Sequence, residues 1–293
     1  MLDKAYLIKR SQLIKRIRNF FDSQGLLEVQ TSTLIDNPTT DVYIDSICAT
    51  VNAEVGPKTI KYLHTSPELE MKKLLSKGCG DIYQICQAFR DNEYGNNNYN
   101  EFTMLEYYRV GFEIHDLMDD IANLLNSIGV NIKPEKISYS QAFNDYGDID
   151  ILKVDFEQLK NIASGLGLTN DFLFIEDLQM LLFTHLIEPK LKHIPVCFIY
   201  DYPKSQSALA KTNGDIALRF ELYLNGIEIA NGYDELQDPE TYRQRFIKEN
   251  NKRKLMDKKI CSIDYDFLSK IQNIIPQCSG VAIGIDRLLS QIK

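Results

Sequence analysis

Arg219-Phe220-Glu221-Leu222-Tyr223-Leu224-Asn225-Gly226-Ile227-Glu228-Ile229-Ala230 consists of two runs of alternating apolar and polar residues around an Asn-Gly pair. Asn-Gly in that setting is the strongest short-range signal for a β-hairpin, because both turn residues need positive φ. A two-residue turn pairs Leu224 with Ile227, Tyr223 with Glu228 and Glu221 with Ala230. Phe220, Leu222, Leu224, Ile227 and Ile229 then cover one face. Glu221 and Glu228 lie on the other as diagonal neighbours, about 7 to 8 Å apart at the backbone. Two carboxylates on an open face repel unless a cation lies between them. Oxygen ligands suit Mg²⁺, which shares its shell with water and phosphate. The same pattern also fits two separately hydrated glutamates.

The flanking sequence supplies the rest of the fold. Leu13, Ile14, Ile17, Phe20 and Phe21 recur at helical spacing, with Ser11 as candidate N-cap and Gly25 as stop. Leu27–Thr31 alternates like a strand. Thr65 and Glu68 have capping-box spacing, with Pro67 in the first turn, and predict a helix running to Gly78. Strands are predicted at Ile82–Arg90 and Phe102–Val110, joined by a polar loop containing Asn96-Asn97-Asn98-Tyr99-Asn100. Residues from about 113 to 192 read as helices at His115–Ile128, Asp155–Gly165 and Glu176–Ile187. Strands resume at Pro195–Tyr200 and Ile216–Ala230. A helix follows at Pro239–Met256, then a strand at Ser279–Ile285 and a short helix from Asp286. Hairpin-linked strands with helices before, between and after predict an α+β fold, an antiparallel β-sheet flanked by helices with a helical insertion in the middle. The expected organisation is a single domain over residues 1–293.

Composition narrows the function classes. The 293 residues carry 33 Lys and Arg against 41 Asp and Glu, a formal net charge of −8. That balance argues against broad nucleic-acid binding, which rests on clustered cations. The six cysteines stand far apart and form no CxxC, so neither a disulfide framework nor a zinc knuckle is expected, and a cytoplasmic setting fits. No apolar run approaches a membrane span, and Met1-Leu2-Asp3-Lys4 does not open a signal peptide.

Taken singly, the remaining features are unremarkable. Arg90 and Arg287 could be surface charges, and Ser66-Pro67-Glu68 a plain helix start. Gly280-Val281-Ala282-Ile283-Gly284 permits close backbone approach but lacks the Gly-Lys-Ser/Thr ending of a phosphate loop. In order and together, they resemble class II aminoacyl-tRNA synthetases of the lysine type. Motif 1 resembles the helix and strand ending Gly25-Leu26-Leu27-Glu28-Val29-Gln30-Thr31. Motif 2 resembles Phe89-Arg90 followed by Glu101-Phe102-Thr103-Met104-Leu105-Glu106-Tyr107-Tyr108. Motif 3 resembles Gly280 to Leu288. The lysine-type signatures are Thr65-Ser66-Pro67-Glu68 and Glu228-Ile229-Ala230-Asn231-Gly232-Tyr233-Asp234-Glu235-Leu236.

The resemblance implies a class II synthetase catalytic core that uses ATP and Mg²⁺. Motif 1 begins near residue 11, so no N-terminal OB-fold anticodon-binding domain is expected, and tRNA is not the expected acceptor. The layout is similar to the short paralogues that ligate (R)-β-lysine to elongation factor P, with the factor as protein acceptor and a homodimer packed on motif 1. By this resemblance Arg90, Arg287 and Glu228 are catalytic. Arg90, Asp91, Asn92, Glu93, Tyr99, Phe102, Glu228, Ile229, Gly284 and Arg287 bind the nucleotide, with Phe102 stacking on adenine. Glu221 and Glu228 hold the metal. Ser66, Pro67, Glu68, Tyr108, Asn231, Tyr233, Glu235 and Ala282 bind (R)-β-lysine or lysine, and Glu68 and Glu235 take its two amines. Lysyl-tRNA synthetases have glycine at the Ala282 position, whereas the elongation factor P ligases have alanine. This chain departs from the motif 2 pattern at Asn92, where a glutamate is usual, and at Asn96–Asn100, which replaces a basic segment. It also has Ser32 in place of a proline and a short final helix. Two further readings follow from those departures: a weakened or non-catalytic paralogue that binds an amino acid or partner, and a free-standing lysine-activating enzyme.

Overall fold

The computed structural model describes residues 3–52, 54, 56–93, 95, 99–271 and 275–292; Asn96, Asn97 and Asn98 of the expected polar loop lie outside them. In chain order the elements are α1 (Lys4–Ser23), β1 (Leu27–Glu28), β2 (Leu34–Ile35), β3 (Cys48–Val51), β4 (Thr59–Leu63), α2 (Glu68–Leu75), β5 (Ile82–Phe89), β6 (Glu101–Val110), α3 (Ile114–Ser127), β7 (Glu135–Ser138), α4 (Tyr139–Gly147), α5 (Phe156–Gly165) and α6 (Ile175–Leu182). A π-helical turn (Phe183–Ile187) leads from α6 into α7 (Glu188–Leu191). There follow β8 (Val196–Pro203), β9 (Thr212–Asn213), β10 (Ile216–Leu224), β11 (Ile227–Asp234), α8 (Pro239–Leu255), α9 (Tyr265–Lys270), β12 (Cys278–Gly284) and α10 (Ile285–Gln291). The architecture is α+β, with antiparallel-dominated sheets flanked by helices. Among the described residues no helix is long and apolar enough to cross a membrane.

The chain divides into two compact units, Met1–Glu113 with Glu235–Ser290, and Ile114–Asp234 with Gln291–Lys293. In the first unit the strand order is β1-β5-β6-β12, antiparallel except for the β1–β5 pair. Period two divides β6 between faces. Tyr107 joins Tyr83 beneath α1, where Phe21 stacks on Tyr83 at 4.6 Å and lies 4.9 Å from Tyr107. Phe102, Met104, Glu106 and Tyr108 take the other face. Helix α1 begins earlier than its apolar spacing predicts: Asp3, not Ser11, is the N-cap and accepts from the Tyr6 N–H at 2.8 Å. The strand expected over Leu27–Thr31 shrinks to Leu27–Glu28. The three-stranded sheet β2-β4-β3 has no counterpart in the sequence reading. Its residues are mostly exposed, so no buried-face alternation marks them.

The second unit has strand order β11-β10-β8-β7, with β9 on β10 and a parallel β7–β8 pair. Its core sets Phe143, Leu159, Leu178, Leu182 and Phe183 against Ile199, Tyr202 and Tyr223. Strand β7 and helix α4, capped by Ser138 accepting from the Gln141 N–H at 3.1 Å, interrupt the stretch read as helices alone.

The hairpin turn is as its dipeptide demands, with φ of 50° at Asn225 and 77° at Gly226. Glycine is needed at the second position twice over, since a Cβ there would lie 2.6 Å from Lys192 Cγ. Further along, regular pairing fails. Tyr223 pairs with Glu228 but Leu222 pairs with Ala230, so Ile229 is an extra residue, a β-bulge. Glu221 therefore pairs with Asn231, not Ala230, and Arg219 with Tyr233. A one-residue shift reverses every later side chain. Without the bulge, Asn231 and Tyr233 would lie opposite Glu228. With it, Arg219, Glu221, Glu228, Asn231 and Tyr233 share one half-buried face, while Phe220, Leu222, Ala230 and Gly232 are buried on the other. Inserting one alanine between Leu222 and Tyr223, opposite Ile229, should restore unbroken alternation, turn Glu221, Asn231 and Tyr233 into the core and cost about 3 kcal/mol or more, the scale of burying unpaired polar groups. Urea denaturation reads this directly, and a midpoint equal to the parent's would show that the bulge carries no such weight.

Candidate active site

On the face of the first unit's sheet that points away from α1, registered rows run across β5, β6 and β12. Gln84, Glu106 and Ala282 form one row, and Ile82, Tyr108 and Gly280 the next. Gly280 is a close approach: a Cβ would meet Tyr108 Cε1 at 2.4 Å and Glu235 Oε1 at 2.6 Å. The Tyr108 ring and the Glu235 carboxylate thus occupy the space a side chain would fill. Ala282, directly across from Glu106, carries the methyl that the sequence singled out.

Helix α2 brings charge to this face. Pro67 stands at its N-cap and Ser66 Oγ lies 3.5 Å from the Glu68 N–H, so the expected Thr65 capping box does not form. Glu68 points toward Lys72, one turn on, whose Nζ lies 2.6 Å from Glu68 Oε1 and 2.6 Å from Glu235 Oε2. The Lys72 side chain is wholly buried, Glu235 almost so, and Glu68 partly open. Burial pulls the Lys72 ammonium down, but Glu235 and Glu68 outweigh it and hold it well above the ordinary lysine value. Beside them Glu106 accepts from the Tyr108 hydroxyl at 2.5 Å, while its Oε2 is buried without a hydrogen-bond partner. Burial, then the Glu68 charge, pushes the Glu106 carboxyl up to about 8 against the pull of Tyr108 and Lys72. An orphaned buried carboxyl oxygen beside two further carboxylates is suited to a cationic ligand.

Further along this face Phe102 lies under the Arg90 guanidinium, 5.0 Å from ring centroid to Cζ. The backbone at Arg90 is fixed: its N–H donates to Asn100 O at 2.9 Å and its carbonyl accepts from Asn100 Nδ2 at 2.8 Å. Beyond it Asp91 bridges to Asp45, Asn92 takes a φ of 58°, and Glu93 lies 4.0 Å from Arg90. Tyr99 is exposed. Gly284 pairs with Met104, and Arg287 follows Asp286, whose Oδ2 accepts from the Thr103 N–H at 2.7 Å. That bond ties the start of α10 to the residue after Phe102.

In the second unit the shared hairpin face is a polar network. Glu221 accepts from Arg219, and its Oε2 accepts from the Tyr202 and Tyr223 hydroxyls, each at 2.6 Å. Arg219 also donates to Asn231 Oδ1 at 3.1 Å and to Gln206 O at 3.0 Å, and lies 4.4 Å over the Tyr202 ring. Glu228, across from Tyr223, is the second carboxylate of this face. Among the described residues no group of three or more His, Cys, Asp or Glu side chains is gathered around a metal position. Two carboxylates on one face nevertheless fit a hard cation that completes its shell with water and phosphate.

Of the residues chosen from sequence, Ser66, Pro67, Glu68, Arg90, Asp91, Asn92, Glu93, Tyr99, Phe102, Tyr108, Glu235, Ala282, Gly284 and Arg287 belong to the first unit. Glu221, Glu228, Ile229, Asn231 and Tyr233 belong to the second, Ile229 as the bulged residue. Sequence reasoning passed over Lys72, Glu106, Arg219, Tyr202 and Tyr223. Four of these had signals: Lys72 is four residues after Glu68 on a helix, Glu106 two before Tyr108, and Arg219 and Tyr223 two to either side of Glu221. Tyr202 is reached only through the β8–β10 pairing.

Residues 3–293 match the family of tRNA synthetases class II (D, K and N). The chain is 39% identical over 296 residues to the elongation factor P–(R)-β-lysine ligase of Pectobacterium atrosepticum, covering 97% of this chain and 90% of that protein. It is 40% identical over 295 residues to the protein of that name from Vibrio cholerae, with 97% and 90% covered, and 40% identical over 292 residues to that from Baumannia cicadellinicola, with 97% and 89% covered.

The raised Glu106 carboxyl makes stability depend on pH. The folded chain keeps this proton up to about 8, whereas the unfolded chain releases it near 4.5. Between those values the folded state binds more protons, so its stability falls as pH rises and levels off above about 8. Glu106→Gln removes the titration. Thermal midpoints measured from pH 5 to 9 should fall for the parent relative to the variant as pH rises; parallel curves would refute the assignment.

Proposed function

Because the chain belongs to the class II tRNA synthetases (D, K and N), we propose that it activates (R)-β-lysine with ATP and transfers the acyl group to a lysine of elongation factor P. The observation that carries this reading is the buried acidic cluster of Glu68, Glu235 and Glu106 beside Ala282, in a chain matched over 97% of its length by ligases of that name. A diamino acid needs anions at both ammoniums, since an unpaired buried charge is costly.

In the first step a carboxylate oxygen of the amino acid attacks the α-phosphorus, the bond to the β-phosphate oxygen breaks, and pyrophosphate leaves. Such chemistry depends on in-line positioning and relief of developing charge. Arg90 serves the α-phosphate, Arg287 the γ-phosphate, and Phe102 the adenine once Arg90 turns from its ring toward phosphate. Asp91, Asn92, Glu93 and Tyr99 follow Arg90 along the nucleotide, Gly284 admits it to the backbone, and Ile229 adds backbone contact. Glu221, held by Arg219, Tyr202 and Tyr223, and Glu228 would hold Mg²⁺, which neutralises phosphate charge when bound. Glu235 takes the ε-ammonium and Glu68 the other amine, with Ser66, Pro67, Tyr108, Asn231 and Tyr233 orienting the chain. In the second step the neutral amine of the acceptor lysine attacks the acyl carbon, AMP leaves, and the amine proton passes to solvent. The protein works as a cytoplasmic homodimer. The exposed Leu7 and Ile8 of α1 and Leu27 of β1 support motif 1 as its interface.

ATP–pyrophosphate exchange tests activation, and the intact mass of elongation factor P after incubation tests transfer. Exchange with (R)-β-lysine should exceed that with L-lysine by at least about tenfold, because in β-lysine the amine lies one carbon further from the carboxylate and the Ala282 methyl fills the space an α-amine needs. Ala282→Gly should narrow the ratio; an unchanged ratio means the alanine is not the selector. Loss of a group that organises phosphate charge costs about a hundredfold or more in rate, and Glu228→Gln should lose that much exchange. A Glu228→Gln enzyme exchanging at the parental rate would remove Glu228 from the metal position.

A further inference from the structure

Lys72 has no part in the roles above, yet it is the most deeply buried charge in the cluster, with no exposed side-chain surface. Its Nζ lies 2.6 Å from one oxygen of Glu68 and 2.6 Å from one oxygen of Glu235, and 5.4 Å from the centroid of the Tyr242 ring. Its neighbour Lys73 is occupied differently, by Glu70 at 2.7 Å and Asp264 at 3.1 Å. A surface helix pair at this spacing contributes little, but here the lysine joins carboxylates from two distant parts of the chain. Glu68 opens α2 and Glu235 follows β11. Without a cation between them the two carboxylates repel, which favours a proton on one of them.

We propose that Lys72 is a positioning residue for substrate selection: its resident ammonium clamps Glu68 and Glu235 and sets the charge of the cluster to match a monocationic diamino acid. The proposal rests on the substrate class given above. One ammonium and two carboxylates leave the cluster at −1. Glu106, protonated at neutral pH, adds nothing. A substrate with two ammoniums and one carboxylate is +1, and binding brings the sum to zero. Each glutamate gives one oxygen to Lys72, so the two carboxylates are held in fixed orientations before substrate arrives, and less ordering remains for binding to supply. Lys72 touches neither nucleotide nor reacting atoms in this scheme. Its loss should therefore act on amino-acid affinity and leave the KM for ATP alone.

The test is titration calorimetry of (R)-β-lysine and L-lysine with the full chain, beside exchange kinetics. Lys72→Ala should weaken the Kd for (R)-β-lysine at least tenfold, with the KM for ATP within twofold of the parent. n-Propylammonium replaces the removed atoms and their charge. It should restore at least fivefold of the lost affinity, where tetramethylammonium at equal ionic strength restores none. A Kd within twofold of the parent, or a folded variant that propylammonium does not rescue, overturns the proposal. If Lys72→Ala does not fold, Lys72→Met, which fills the space without charge, decides: a tenfold weaker Kd supports it, and a parental Kd overturns it. Unfolding of both variants assigns Lys72 to stability alone and also overturns it. A parent that binds (R)-β-lysine but exchanges no pyrophosphate sinks the activity proposed above and leaves this proposal standing, whereas a parent that binds neither diamino acid sinks this one.

Discussion

A buried ammonium between two carboxylates is the constraint on which much of the first unit depends. Charges removed from water are tolerable only beside partners of opposite sign, and Lys72 has them only if α2 and the segment after β11 arrive together. Their meeting place in turn depends on the sheet. Gly280 has no side chain where the Tyr108 ring and Glu235 lie, and Tyr108 is held by its bond to Glu106. The ionic cluster, the missing Cβ and the β6–β12 register are one arrangement, because altering any of them leaves a charge without its partner.

The second unit meets a similar demand by different means. Its polar face has one guanidinium, Arg219, flanked by Glu221, Asn231 and the Tyr202 ring. Neutral hydroxyls from Tyr202 and Tyr223 complete the carboxylate's hydrogen bonding, so the carboxylate is held by one charged and two neutral donors. In the first unit, by contrast, Lys72 is shared between two carboxylates. Both arrangements keep carboxylates aimed; they differ in how much charge a ligand must bring.

Much of this could be read from the chain alone, where local chemistry is decisive. Asn225-Gly226 specified its turn, and the spacing in α1, α3, α5 and α8 specified helices to within a few residues, apart from the earlier start of α1. Lengths of exposed strand were invisible, because β2, β3 and β4 lack a buried face to impose alternation. The bulge at Ile229 was invisible for a related reason. Glu228, Ile229 and Ala230 alternate perfectly on paper, and only pairing with β10 reveals that one of them is surplus. The candidate site residues were chosen chiefly by motif resemblance, which is why Lys72, Glu106 and Arg219, the groups bonded to some of them, were passed over.

The pair of hydrogen bonds between Asn100 and Arg90 separates two problems that a chain of this kind must solve. Backbone and side chain of one asparagine close the neck between β5 and β6, so the position of Arg90 is settled at the neck. In polymer terms the free energy of closing a chain segment between two tied residues grows only slowly with its length, by about 0.6 kcal/mol per doubling. Composition and length can then drift in that segment at small cost to the arginine's placement. Two of the departures noted in the sequence, at Asn92 and from Asn96 to Tyr99, fall in that segment, and an insertion there should be far better tolerated than a single substitution at Asn100.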